Sequence, residues 1–151
     1  YLMDNNIVKG GEYQLTDALE NMKQQGVVFR PGTVDHWMDC GNKNATVETN
    51  RMILEFEKDQ NLVSSSAVIE NSTLIQPVQI ADGVRIENSV VGPHVRVGIN
   101  AVIKNARVSN SIVRSDSSIN NAVIENSLIG MQTAIDLSAL DLSMGDFSTM
   151  N

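Results

Sequence analysis

A single cysteine, Cys40, stands among the 151 residues, so no internal disulfide can form. No nearby Cys or paired His completes a zinc-binding pattern around it, and this usage fits a reducing, cytoplasmic setting. Positive charge is scarce as well: 11 Lys and Arg face 18 Asp and Glu, for a net charge of −7. A broad basic field is what gathers nucleic acid or anionic lipid, so neither is expected as a partner. No apolar run approaches the ~20 residues that span a bilayer. The opening "YLMDNNIVKG" does not follow the basic, apolar, small-residue order of a signal peptide. A soluble chain is expected, and because it starts without Met in what reads as the middle of a helix, a piece of something longer.

What is present follows two grammars. The first sixty residues read as mixed α/β. "LTDALENMKQQG" sets Leu15, Ala18, Leu19 and Met22 at helical spacing, with Gln14 or Thr16 near the start and Gly26 as the stop. "VVFRPG" and "VDHWMDC" are short strand candidates. After them Val47, Met52, Ile53, Leu54 and Phe56 mark a second helix that can start at Asn42, a strong N-cap. Asp39 then lies in the turn between strand and helix, the kind of place where α/β proteins keep their chemistry. Cys40 beside it reads as a small packed hydrophobe.

From about residue 67 an aliphatic residue recurs every five or six positions: Ile69, Ile75, Ile80, Ile86, Val91, Val97, Ile103, Val108, Val113, Ile119, Ile124, Ile129 and Ile135. Where the step is six, the residue two before the next aliphatic is Thr73, Val84, Val95, Ala101, Ser117 or Thr133, always small or β-branched. Three such faces make a coil of 16 or 17 residues, and the whole segment makes about four coils of a solenoid. Every third position is isoleucine, from Ile69 through Ile86, Ile103 and Ile119 to Ile135, a column that would stack about 4.8 Å apart in a parallel β-helix. Asn71, Asn88, Asn105 and Asn121 form a parallel set suited to an amide ladder, with a shorter one from Asn110 to Asn126. Glu70, Glu87, Lys104 and Asn120 should stack outward, Lys104 relieving the like charges. A β-sandwich would space its strands irregularly.

This period resembles the hexapeptide repeat of left-handed β-helices, and the left hand rests on that resemblance alone. Such helices serve acyltransferases and also form C-terminal domains of sugar nucleotidyltransferases. The first half chooses between them. "GGEYQLTDAL" followed by "WMDCG" and a helix resembles the end of the catalytic domain of sugar-1-phosphate nucleotidyltransferases of the glucose-1-phosphate thymidylyltransferase type. Gly11, Glu12, Leu15, Thr16 and Asp17 match that family's Gly-Glu-x-x-Leu-Thr-Asp stretch, and Trp37, Asp39 and Gly41 match its Trp-x-Asp-x-Gly-Thr stretch, with Asn42 in place of Thr. Gly10 stands where some members carry a phosphate-binding Arg, with Lys9 beside it.

The resemblance implies a mainly β chain. Residues 63–151 would be a left-handed parallel β-helix of about four coils, capped by the tail with Leu137, Leu140 and Leu142. Residues 1–62 would be a small α/β remnant of the nucleotidyltransferase domain. It implies sugar-site roles for Glu12, Tyr13 and Thr16 and a Mg²⁺-ligand role for Asp39. In the complete enzyme the partners would be a sugar 1-phosphate, a nucleoside triphosphate and further copies of the chain. The family's glycine-rich Gly-x-Gly-Thr-Arg-Leu signature, its Lys-Pro segment and its first metal-binding Asp find no match here, so this chain alone is expected to be inactive. An acyltransferase and a purely structural assembly module are the alternatives. His94, in a turn beside Pro93 without a recognisable partner, reads as an exposed turn residue rather than a general base.

Overall fold

The computed structural model describes residues 1–137, 143–144 and 146–149. Of the expected cap, Leu140 and Leu142 lie outside the described residues. Two compact units are present, Tyr1–Trp37 and Met38–Asn151. The unit boundary falls at Trp37, so the second helix packs as part of the solenoid's unit rather than with the first segment.

In the first unit, residues 1–7 form turns closed by bonds such as Asn5 N–H to Tyr1 C=O and Ile7 N–H to Leu2 C=O, not a continuing helix. Helix α1 spans Leu15–Gln24. It follows Gln14, whose side chain makes no cap bond, and ends before Gly26, which takes a φ of +88° that a side chain would strain. Neither "VVFRPG" nor "VDHWMDC" forms a strand among the described residues. Strand-forming side chains do not make a strand without a ladder partner, and Val28 and Trp37 are largely exposed.

Helix α2, Lys43–Phe56, begins where the sequence places it, with the Asn42 side chain accepting the Ala45 N–H at 3.0 Å. Three strands then make each coil. The first coil is β1 (Val68–Glu70), β2 (Thr73–Leu74) and β3 (Val78–Ile80); the second is β4 (Arg85–Glu87), β5 (Val90–Val91) and β6 (Val95–Val97). The third is β7 (Val102–Lys104), β8 (Arg107–Ser109) and β9 (Ile112–Val113); the fourth is β10 (Ser118–Asn120), β11 (Val123–Glu125) and β12 (Leu128–Ile129). Strand β13 (Ala134–Asp136) starts another. Corresponding strands pair in parallel into three sheets, so the segment is a parallel β-solenoid of about four coils.

The isoleucine column is in register from Ile69 to Ile135, and Ile86, Ile103 and Ile119 are fully buried. One position of the period slips. Leu74, not Ile75, pairs with Val91 and faces the core, and Ile75 is 42% exposed. Steps of five and six were both allowed, and a one-residue change turns a strand side chain to the opposite face. Thr73, assigned with the small core residues, is exposed for the same reason.

The corners explain the polar repeats. Asn71, Asn88, Asn105 and Asn121 all take positive φ between 46° and 54°, a conformation that asparagine tolerates better than most residues. Their amides form the expected ladder, with bonds of 2.7, 3.3 and 3.2 Å, and Asn110 bonds Asn126. Lys104 Nζ lies 3.0 Å from Glu87 Oε2. A serine device escaped the sequence reading. Each of Ser72, Ser89, Ser111 and Ser127 donates to the carbonyl two residues before it, and the first three also accept a backbone N–H from the next coil at 3.0 Å. These hydroxyls satisfy backbone groups that the tight corners would otherwise orphan.

Helix α2 lies along the solenoid. Lys43 Nζ donates to the Asn126 carbonyl, and Asn50 Nδ2 to that of His94, two coils away. Seven helical residues rise ~10 Å and two coils rise ~10 Å, so the helix runs along the solenoid axis. Val47 and Leu54 are its buried apolar anchors.

Candidate functional site

In the first unit the Gly10-Gly11 pair, with φ of +61° and +86°, makes a tight reversal in which Lys9 and Glu12 exchange backbone hydrogen bonds at 3.0 and 3.2 Å. Two consecutive positive φ values are the signature of a primed hairpin turn, which explains the double glycine. The turn places Glu12 just ahead of α1, Tyr13 two residues before its start and Thr16 in its first turn. All three are exposed.

They do not gather into one cavity. Tyr13 lines a cavity of about 600 Å³ with Tyr1, Leu2, Leu15 and Met22, whereas Glu12 and Thr16 do not. The Tyr13 hydroxyl donates to Asn6 at 3.5 Å. Lys9, the cation nearest the missing phosphate-binding Arg in sequence, spends its ammonium on Asp17 at 2.8 Å.

Asp39 belongs to the second unit. Its Oδ1 accepts the Gly41 N–H at 2.8 Å, and its carbonyl accepts the Thr49 hydroxyl at 2.7 Å. The side chain thus shapes the turn that delivers the chain to α2, as Asp commonly does two residues ahead of a turn N–H. Mg²⁺ takes one or two carboxylates and completes its octahedron with water and substrate oxygens. Asp39 is one exposed carboxylate with an oxygen already engaged. Among the described residues no three His, Cys, Asp or Glu side chains come together to hold a metal ion. The described residues thus present Asp39 as a single carboxylate and no assembled cation site. Cys40 is exposed, contrary to its reading as a packed hydrophobe.

His94 corrects a second reading. It is neither exposed nor alone: its side chain is 18% exposed and its Nε2 sits 2.6 Å from Glu55 Oε1 on α2. That hydrogen bond, chiefly, holds the Glu55 carboxyl below the usual carboxylate range. With φ of +60° His94 takes a corner position, one coil before Asn110, and its carbonyl holds Asn50. Glu55 lies 39 residues away, so sequence proximity gives no hint of the pair.

No helix among the described residues is long and apolar enough to cross a membrane. No family profile and no solved structure matches the chain. Curated relatives do. A glucose-1-phosphate thymidylyltransferase of Streptomyces griseus is 31% identical over 141 residues, covering 83% of this chain and 40% of the relative. One of Streptomyces antibioticus is 28% identical with the same coverage. The low-salt glycan biosynthesis nucleotidyltransferase Agl11 of Haloferax volcanii is 33% identical over 130 residues, 73% of this chain and 36% of the relative. The chain thus spans about 40% of the length of the thymidylyltransferases it matches. It is a homologue of the sugar-phosphate nucleotidyltransferases, related to part of glucose-1-phosphate thymidylyltransferase and built around a parallel β-solenoid.

Proposed function

We propose that the chain is the C-terminal portion of a cytoplasmic enzyme that transfers a nucleotidyl group from a nucleoside triphosphate to a sugar 1-phosphate and releases pyrophosphate. The observation that carries this reading is the match to thymidylyltransferases over most of this chain and a minority of theirs. In the complete enzyme Glu12, Tyr13 and Thr16 contact the sugar, and Asp39 is one ligand of Mg²⁺, which neutralises charge gathering on the phosphoryl oxygens. The exposure of these four side chains is consistent with surfaces completed by other residues. The solenoid serves oligomerisation or regulation.

By itself this chain does not catalyse the reaction. Pyrophosphate release, measured with sugar 1-phosphates and each of the nucleoside triphosphates, should stay at background for the 151-residue chain. Turnover would overturn the reading. In a longer protein carrying the glycine-rich signature, Asp39→Asn should raise the Mg²⁺ requirement. Light scattering tests assembly, and a monomer at every concentration would count against oligomerisation.

The His94–Glu55 pair is the one observation that favours an acyltransferase, because a carboxylate orients a histidine base in many active sites. Here Glu55 occupies the Nε2 that would face a substrate, and the pair ties helix to solenoid. Saturable binding of acetyl-CoA that depends on His94 would reverse this preference.

A further inference from the structure

The seam between α2 and the solenoid holds a cavity of about 420 Å³, within the size range of small-molecule sites. Its position follows from register. Gln79, Arg96, Ile112 and Leu128 align in one outward row on the sheet of β3, β6, β9 and β12. Thr46 of α2 closes the cavity from the helix side, and Arg114 and Ser115, just after β9, complete it.

The chemistry of this lining is unusual for a chain of net charge −7. Two arginines share one cavity, and among the described residues neither forms an ion pair, whereas Arg51 and Arg85 each have a glutamate. The Nε of Arg96 is buried without a hydrogen-bond partner among the described residues. A desolvated donor of a charged group is costly to leave unsatisfied. Guanidinium groups match the geometry of phosphate oxygens, and the Ser115 hydroxyl adds a neutral donor, whereas that of Thr46 is donated to the Asn42 carbonyl at 2.9 Å. Ile112 and Leu128 supply an apolar wall that bare phosphate does not need.

We propose that this cavity binds a phosphate monoester, with Arg96, Arg114 and Ser115 on the phosphate and Ile112 and Leu128 against a ring-shaped body. The site lies wholly within the second unit and is independent of the nucleotidyl-transfer reading. Its occupant would bridge α2 and the second to fourth coils, so binding should stiffen the seam.

Isothermal titration of the full chain with AMP, adenosine and inorganic phosphate tests this. AMP should bind saturably and at least tenfold tighter than inorganic phosphate, and adenosine should show no saturable heat. Arg114→Gln changes an exposed residue and should weaken AMP tenfold or more while leaving the thermal melt unchanged. Arg96→Met keeps the apolar stem and should do the same to affinity. If Arg96→Met fails to fold, the Arg114→Gln result decides. The proposal is overturned by absent AMP binding, by equal AMP affinity in wild type and Arg114→Gln, by adenosine binding as tightly as AMP, or by inorganic phosphate doing so.

Discussion

Ile103→Ala is the sharpest probe of what holds the solenoid together. Ile103 is fully buried, with Ile86 and Ile119 as its register partners in adjacent coils. The substitution removes three carbons, worth ~0.8 kcal/mol each in transfer free energy. A cavity term adds to this because the ladders fix the neighbouring rungs and limit collapse, giving a loss of about 3 to 4 kcal/mol, inside the range for such truncations. Coils touch only their neighbours, so a weak rung in the third coil also uncouples the two ends. Urea unfolding followed by far-UV circular dichroism would read the loss as a lower midpoint. Ile75→Ala is the control: it belongs to the same sequence period, but its side chain faces outward and should cost less than about 1 kcal/mol. Equal losses at the two positions would refute both the register and the claim that the isoleucine column is the core.

Gly92→Ala should be more damaging than its size suggests. A Cβ there would stand 1.9 Å from the Ile75 carbonyl oxygen at a φ of +117°, and low soluble yield or a melt depressed by many degrees would register it. Asn105→Ala should cost about 1 to 2 kcal/mol from lost ladder bonds and a strained corner, and Asn105→Gly should recover the corner part in the same urea assay. The lowered pKa of Glu55 in the folded state makes its contribution to stability fully present above the range where a free glutamate titrates. That contribution is lost as pH falls through the folded value. Melting temperatures across the acid range should therefore fall less steeply in Glu55→Gln than in wild type, and parallel curves would count against the pairing with His94.

The solenoid was legible because its core is periodic in sequence: each coil repeats the same few inward positions, so Ile86, Ile103 and Ile119 announce one another. Ile75 misled because two adjacent aliphatics both satisfied a step of five or six, and only pairing with Val91 decides for Leu74. Cap chemistry was local and readable at Asn42. The strand candidates "VVFRPG" and "VDHWMDC" failed because a strand is a property of a pair, not of a segment. Glu12 and Asp39 were singled out by motifs, yet the motifs do not specify what surrounds them. The seam residues Glu55, Arg96 and Arg114 carried no local signal, because they meet only when the helix lies down on the solenoid.

The amide ladder also has a direction. Asp136 can only accept, so Asn121, which bonds it at 2.8 Å, must present its N–H to that carboxylate and its oxygen to Asn105. The same constraint passes back to Asn88 and Asn71, and every amide dipole in the column points the same way. Such an aligned chain polarises itself and delivers its accumulated partial charge to an anion at one end. Having no N–H to offer, Asp136 also ends the relay, just as Asp116 ends the shorter one begun by Asn100. An aspartate, whether it stands in the column as Asp116 does or reaches it from the neighbouring row of Asn120 as Asp136 does, is thus a punctuation mark by which a repetitive sequence specifies how far each of its polar columns extends.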